Sequence, residues 1–148
     1  MAKIPRPEGH HTVVPSFAVP NAKRVIEFLE KVFSAKVVDR YDAPDGSTAH
    51  AEVMIGDSVV MLGEPMPGYE AMPASLSVYV DDADAVDATY RRALAAGAAS
   101  LTEPKNQFYG VRTASVRDVG GNRWTVCAMV EQVSHDEVQR RMKDMMKG

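Results

Sequence analysis

The chain has 148 residues, 45% of them apolar, with 17 Lys or Arg against 20 Asp or Glu, a formal charge of −3. That length and apolar content suit one domain with one core, and the acidic balance gives no basic footprint for nucleic acid and no polybasic segment for anionic lipid. No run is long enough to span a bilayer, residues 1–7 lack the apolar centre of a signal peptide, and the lone Cys127 forbids an internal disulfide, so the expected compartment is the cytoplasm.

Residues 1–11, rich in Pro, charge and His, read as an arm that drapes at an edge. His10 and His11 are adjacent, point to opposite sides of an extended chain and are expected to face solvent. A first strand is predicted from Thr12 to Val19, with Pro15 marking an edge or bulge and Phe17 and Val19 on one face. Asn21 is the expected N-cap of a helix over 22–33, whose Val25, Phe28, Leu29 and Val32 form one apolar stripe. An extended run, Lys36 to Tyr41, and a turn, 43–47, lead to a hairpin of residues 51–55 and 58–62 around Gly56-Asp57. Alternation puts His50 and Glu52 on the face opposite Ala51, Val53 and Ile55.

Residues 63–73, holding three Pro, read as a linker. The pattern then repeats, offset by roughly 61 to 65 positions. A strand alternates Leu76, Val78 and Val80 with Ser75, Ser77 and Tyr79. The helix that follows, over 83–96, starts near Asp81-Asp82, carries Val86, Tyr90, Ala93 and Leu94 on its stripe and stops at Gly97. A strand near Ser100 and Leu101 and a loop from Pro104 to Gly110 precede a second hairpin, residues 114–129, turned by Asp118-Val119-Gly120-Gly121-Asn122. Ser134, three residues before Glu137, has the capping-box spacing and opens a last helix with a narrow Val138, Met142, Met145 stripe, expected to pack on the body or a second subunit.

These elements define an α+β fold of two β-α-β-β-β modules, about 12–64 and about 74–130, within one domain over 12–130, followed by a C-terminal helix over 131–148. Each apolar strand face should lie under a helix, which collects Ser16, His50, Glu52, Ser75, Ser77, Tyr79, Thr113, Ser115, Arg117 and Thr125 on the other face. A curled sheet would make that face a pocket for a small molecule, and a flat one would show it to water.

His50 and Glu52, two apart on one strand, are the pair that could bind a metal or move a proton. The simpler reading has Glu52 hydrogen-bond or pair with Arg117 or Arg112 across the sheet. Tyr109 and Arg112 stand at a Pro-bounded loop, where the Arg112 fork could clamp an anionic ligand or anchor its own loop. Trp124 should point under a helix and Cys127 should be a small core residue rather than a nucleophile.

The duplicated plan, the opening Val19-Pro20-Asn21-Ala22 followed by Ile26 and Phe28, and the hairpin Asp118, Gly121-Asn122-Arg123-Trp124 resemble the vicinal oxygen chelate superfamily. That group includes glyoxalase I, bleomycin-resistance proteins, fosfomycin-resistance proteins and extradiol dioxygenases. The resemblance covers about residues 12–130, and His50-Ala51-Glu52 with Gln107-Phe108-Tyr109-Gly110-Val111-Arg112 resembles its small bacterial glyoxalase-like branch. It implies a cupped, mostly antiparallel sheet around a cleft, often completed in a homodimer. Catalytic members hold a divalent metal at positions that fall here on Val14, Val60, Ser75 and Thr125, none a usual ligand. The expectation is a homodimeric, metal-independent and cofactor-free protein that sequesters an organic molecule, with a pocket of Ser16, His50, Glu52, Ser77, Tyr79, Tyr109, Arg112, Ser115 and Thr125. The alternative is a lyase or isomerase acting on a carbonyl compound through His50 and Glu52, with or without a divalent metal.

Overall fold

Apolar residues at two-residue spacing in the strands and three-to-four-residue spacing in the helices give every element one face to bury. The computed structural model describes residues 2–148; Met1 of the expected arm lies outside the described residues. In chain order the elements are β1 (Ser16–Ala18), α1 (Ala22–Phe33), β2 (Lys36–Asp42), β3 (Thr48–Ile55) and β4 (Ser58–Gly63), then β5 (Ser75–Tyr79), α2 (Ala83–Ala95), β6 (Ala99–Asn106), β7 (Val111–Arg117) and β8 (Arg123–Met129), then α3 (His135–Lys147). The fold is α+β, two β-α-β-β-β modules and a C-terminal helix.

Each module is an open four-stranded sheet, ordered β1-β4-β3-β2 in the first and β5-β8-β7-β6 in the second. The opening strand runs parallel to the closing one, Phe17 beside Leu62 and Leu76 beside Trp124, and the other pairs are antiparallel. The apolar faces of both sheets and both helices merge into one core. Trp124, fully buried on β8, sits edge-on to Phe17 of β1 at 6.3 Å between ring centroids and 5.7 Å from Phe33 at the end of α1. The two modules thus share aromatic contacts of a kind worth about 1 kcal/mol each beyond the area they bury. Their polar faces point away from this core.

Three local expectations are corrected. Only Ser16–Ala18 is strand at the start, because Pro15 has no N–H to give; its carbonyl instead accepts the Met61 N–H at 2.9 Å. Asn21 does not cap α1 with its side chain, since its backbone is left-handed (φ 61°), and Glu64 accepts the Ala22 N–H at 2.9 Å in its place. The expected loop from Pro104 begins as strand, for β6 continues to Asn106 through two register shifts on the outer edge of its sheet, where a proline breaks no ladder.

The Ser134 side chain caps α3 by accepting the Glu137 N–H at 3.2 Å. No α3 residue is buried, and the Met142 and Met145 stripe is exposed; the helix is tied down by Arg141, which donates to the Phe108 carbonyl at 2.8 Å and to Glu131 at 3.0 Å. Among the described residues no helix is long and apolar enough to cross a membrane.

Candidate functional site

β3 presents His50 and Glu52 side by side on the outward face, as its period of two requires. His50 donates Nε2–H to Glu52 Oε2 at 3.3 Å, and its ring lies against Tyr41 across the β2–β3 pair, with centroids 6.3 Å apart. Tyr41 in turn donates its hydroxyl to Asp39 at 3.0 Å. Glu52 Oε1 is taken by His10 Nε2. One carboxylate therefore holds two imidazoles, one from its own strand and one from the N-terminal arm.

This corrects two expectations. His10 is not solvent-facing; its side chain is 14% exposed, against 42% for His50. Among the described residues Glu52 has no arginine partner, and Arg112 spends its fork on Asp87 of α2 (2.8 and 3.1 Å) and reaches Asn106 at 3.0 Å. The Arg112 hydrogen bonds hold the Asp87 carboxyl below its usual value. Arg112 thus anchors its own loop to α2 and is not free to clamp a ligand.

The arm reaches Glu52 because its backbone is fastened to the edge of β4. Gly9 accepts the Val59 N–H at 2.9 Å, and Gly9, at φ +78°, lies so close to Met54 that a Cβ there would stand 2.5 Å from the thioether sulfur. His10 faces acceptors at both nitrogens, Glu52 at Nε2 and the Glu8 carbonyl at Nδ1 (3.2 Å), so the doubly protonated ring satisfies both. The Glu52 hydrogen bond, followed by that to Glu8, raises the His10 pKa above 6.5. A raised folded value adds stability that is complete below the unfolded pKa and disappears as the pH climbs through the folded one. His10→Gln should therefore melt a few degrees below the wild type at pH 6, and the gap should close as the pH is raised above the ordinary imidazole range and through the folded pKa. A gap independent of pH in paired melting curves would refute the ionic latch.

Beside this group lies a pocket of about 580 Å³ whose far wall is the segment expected to be only a linker. Residues 64–72 fold back to the free edge of β1, with Met66 and Tyr69 bridged to each other and Met72 bridged to Ala18. Ser16, Phe17, Ala18, His50 and Leu62 form the floor and Met66, Tyr69 and Met72 the wall. Tyr69 and Met72 are 70% and 71% exposed, a large apolar surface to leave on a loop. Sequence reasoning missed these three residues; the signal was the presence of Met and Tyr inside a Pro-rich connector.

Of the expected pocket, Ser16 and His50 line this cavity, and Glu52 backs His50. Ser77 and Tyr79 line a different pocket, where the two modules meet. Ser115 and Thr125 share a hydrogen bond at 2.8 Å, with Ser115 buried. Tyr109 stands half out of the Gln107–Gly110 turn, its ring edge-on to Phe108. Cys127 is buried as expected, and burial pushes its thiol up, away from nucleophile chemistry. Trp124 is core, as expected.

The metal positions implied by the family resemblance do not fit a metal. Val60 faces the core, opposite Val53, and the Thr125 hydroxyl is spent on Ser115. At Glu52 both imidazoles contact the carboxylate itself, and among the described residues no group of three or more His, Cys, Asp and Glu side chains is placed to hold a metal ion.

The model of the Glyoxalase/Bleomycin resistance protein/Dioxygenase superfamily matches residues 9–126. An uncharacterised protein of Mycobacterium bovis is 34% identical over 143 residues, covering 90% of this chain and 93% of its own length. An uncharacterised Mycobacterium tuberculosis protein is likewise 34% identical over 143 residues, covering 90% of this chain and 84% of its own. Among solved structures, TioX from Micromonospora is similar in fold, with TM-score 0.64 at 24% identity, covering 84% of this chain and all of that one. So is a glyoxalase/bleomycin resistance protein/dioxygenase family enzyme from Burkholderia phytofirmans, with TM-score 0.66 at 19% identity, covering 78% of this chain and 95% of that one.

Proposed function

The chain belongs to the Glyoxalase/Bleomycin resistance protein/Dioxygenase superfamily, and from that premise we propose that it is a metal-independent binder of a small organic molecule. The observation that carries this reading is the pocket under residues 64–72, whose volume lies in the range of small-molecule sites. Met66, Tyr69, Met72 and Leu62 offer an apolar, adaptable surface for a ring system, while Ser16 and His50 supply the few polar contacts that set orientation. The donor set argues against metal-assisted chemistry, since the positions that would carry ligands hold Val14, Val60, Ser75 and Thr125. The proposed working form is a cytoplasmic homodimer in which a second copy covers outward faces that leave Tyr41, Tyr79 and Met129 exposed.

A direct test is calorimetric titration of bleomycin and a panel of aromatic natural products in buffer containing a chelator. The expected result is at least one ligand with Kd of roughly 10 µM or lower, weakened about tenfold or more by Tyr69→Ala. No ligand in the panel, or binding that requires added divalent metal, would overturn the reading.

The triad of His10, Glu52 and His50 favours a second reading, a lyase or isomerase acting on a carbonyl compound. Glu52 accepts Nε2–H of His50, which leaves Nδ1 without a hydrogen-bond partner among the described residues on a side chain that lines the pocket, an arrangement open to a general base. The discriminating result is turnover of a bound ligand that His50→Ala abolishes while binding persists.

A further inference from the structure

Where the two modules meet lies a second pocket of about 570 Å³, bounded by the end of α1, the β3–β4 turn and β5. Its surface is largely apolar, with Phe33, Ile55, Leu76, Val78, Val80 and Trp124 all contributing. It draws on the seam of the modules and shares no lining residue with the pocket under residues 64–72.

Arg92 of α2 is the one Lys or Arg in this lining. Its Nε and Nη2 donate to the Val32 carbonyl at 3.1 and 2.8 Å, and Nη2 also donates to the Thr89 hydroxyl at 3.2 Å. Val32 lies in the last turn of α1, where carbonyls lack a helical partner and carry partial negative charge, so a guanidinium is well placed there. Three hydrogen bonds fix the group, yet they bring it no carboxylate. Among the described residues Arg92 makes no ion pair, and no hydrogen bond within the protein engages Nη1. The lining holds one acid, Asp57 in the β3–β4 turn, whose carboxylate accepts the Ser58 hydroxyl at 2.8 Å.

We propose that the seam pocket binds an organic monocarboxylate, its apolar body against Phe33, Leu76, Val78 and Trp124 and its carboxylate on Arg92 Nη1. An apolar cavity whose one arginine makes no ion pair among the described residues discriminates by charge. The guanidinium, on a residue exposed at the rim of the pocket, is already held by three hydrogen bonds and so loses little side-chain entropy on binding an anion. A neutral ligand of the same shape gains only the apolar contacts.

The test uses decanoate, below its micellar concentration, with decan-1-ol as its neutral counterpart. Trp124 is the chain's single tryptophan and lines this pocket, so its fluorescence reports occupancy. Decanoate should give a saturable change with an affinity about tenfold or more above that of decanol, worth about 1.4 kcal/mol. Arg92→Gln should erase that preference and Arg92→Lys should retain most of it. Equal affinities for the two probes in the wild type, no saturable change with either, or a preference that survives Arg92→Gln would each overturn the proposal. The wild-type comparison stands by itself should the variants fail to fold.

Discussion

Asp118→Asn is expected to destabilise the protein by about 3 kcal/mol and Asp118→Ala by about 4 kcal/mol, among the largest effects any polar substitution here will have. Asp118 is 5% exposed and turns the β7–β8 hairpin from inside. Its Oδ1 accepts the Gly120 and Asn122 backbone N–H groups at 2.8 and 3.0 Å. Its Oδ2 accepts Asn122 Nδ2 at 2.9 Å and the Trp124 indole N–H at 2.7 Å. Asn122, fully buried, then uses its own carbonyl to accept the Ala74 N–H at 2.9 Å, which ties the start of the second module to the turn. Alanine strands four donors, each costing about 1 to 3 kcal/mol before relaxation. Asparagine keeps the shape and still fails, because its amide nitrogen would face two donors where the carboxylate offered an acceptor. At roughly 2 to 4 °C per kcal/mol for a chain of this size, melting should fall by about 6 to 12 °C in the asparagine variant. Trp124→Phe removes one of the two opposed donors, so in a double-mutant cycle it should recover part of the loss. An Asp118→Asn protein that melts with the wild type would show that the turn is held by its backbone alone.

That network also marks the boundary of what can be read from the chain. Helix α1 matched its expected span because its stripe is set by residues three and four apart, and each hairpin was legible from Gly, Asp and Asn at positions that need a turn. The pairing of His50 with Glu52 followed from the period of a strand. In contrast, His10 meets Glu52 across 42 residues, Glu64 caps Ala22 across 42, and Asn122 binds Ala74 across 48. Periodicity says which face a residue occupies and nothing about which distant segment will arrive there. The same reason explains the arginine. Arg112 was free to be drawn toward Glu52 until α2 placed Asp87 within bidentate reach. The candidate pocket was legible at its floor, where Ser16 and His50 sit on regular strands, and illegible at its wall, where a connector folds back to the edge of the sheet.

Gly63→Ala should remove about 3 kcal/mol of stability and the binding capacity of the pocket together. Gly63 ends β4, accepts the Val19 N–H at 3.0 Å and lines the cavity beside Ala49. A Cβ there would lie 2.1 Å from the Ala49 carbonyl oxygen and 2.8 Å from its carbon. Those atoms are backbone on the neighbouring strand and have no rotamer to yield, so the strands must part. The cost belongs at the upper end of the overpacking range, roughly 6 to 12 °C in melting temperature. Gly68→Ala supplies the contrast within the same pocket. Gly68 has φ +85° with open space around its Cβ position, so alanine pays only for a left-handed backbone, about 1 to 2 kcal/mol. If steric approach governs, Gly63→Ala will fall well below Gly68→Ala in melting temperature and will lose ligand even at temperatures where it is fully folded. If the two variants melt alike, β4 has room to move, and the floor of the pocket is softer than the close approach of Gly63 to Ala49 requires.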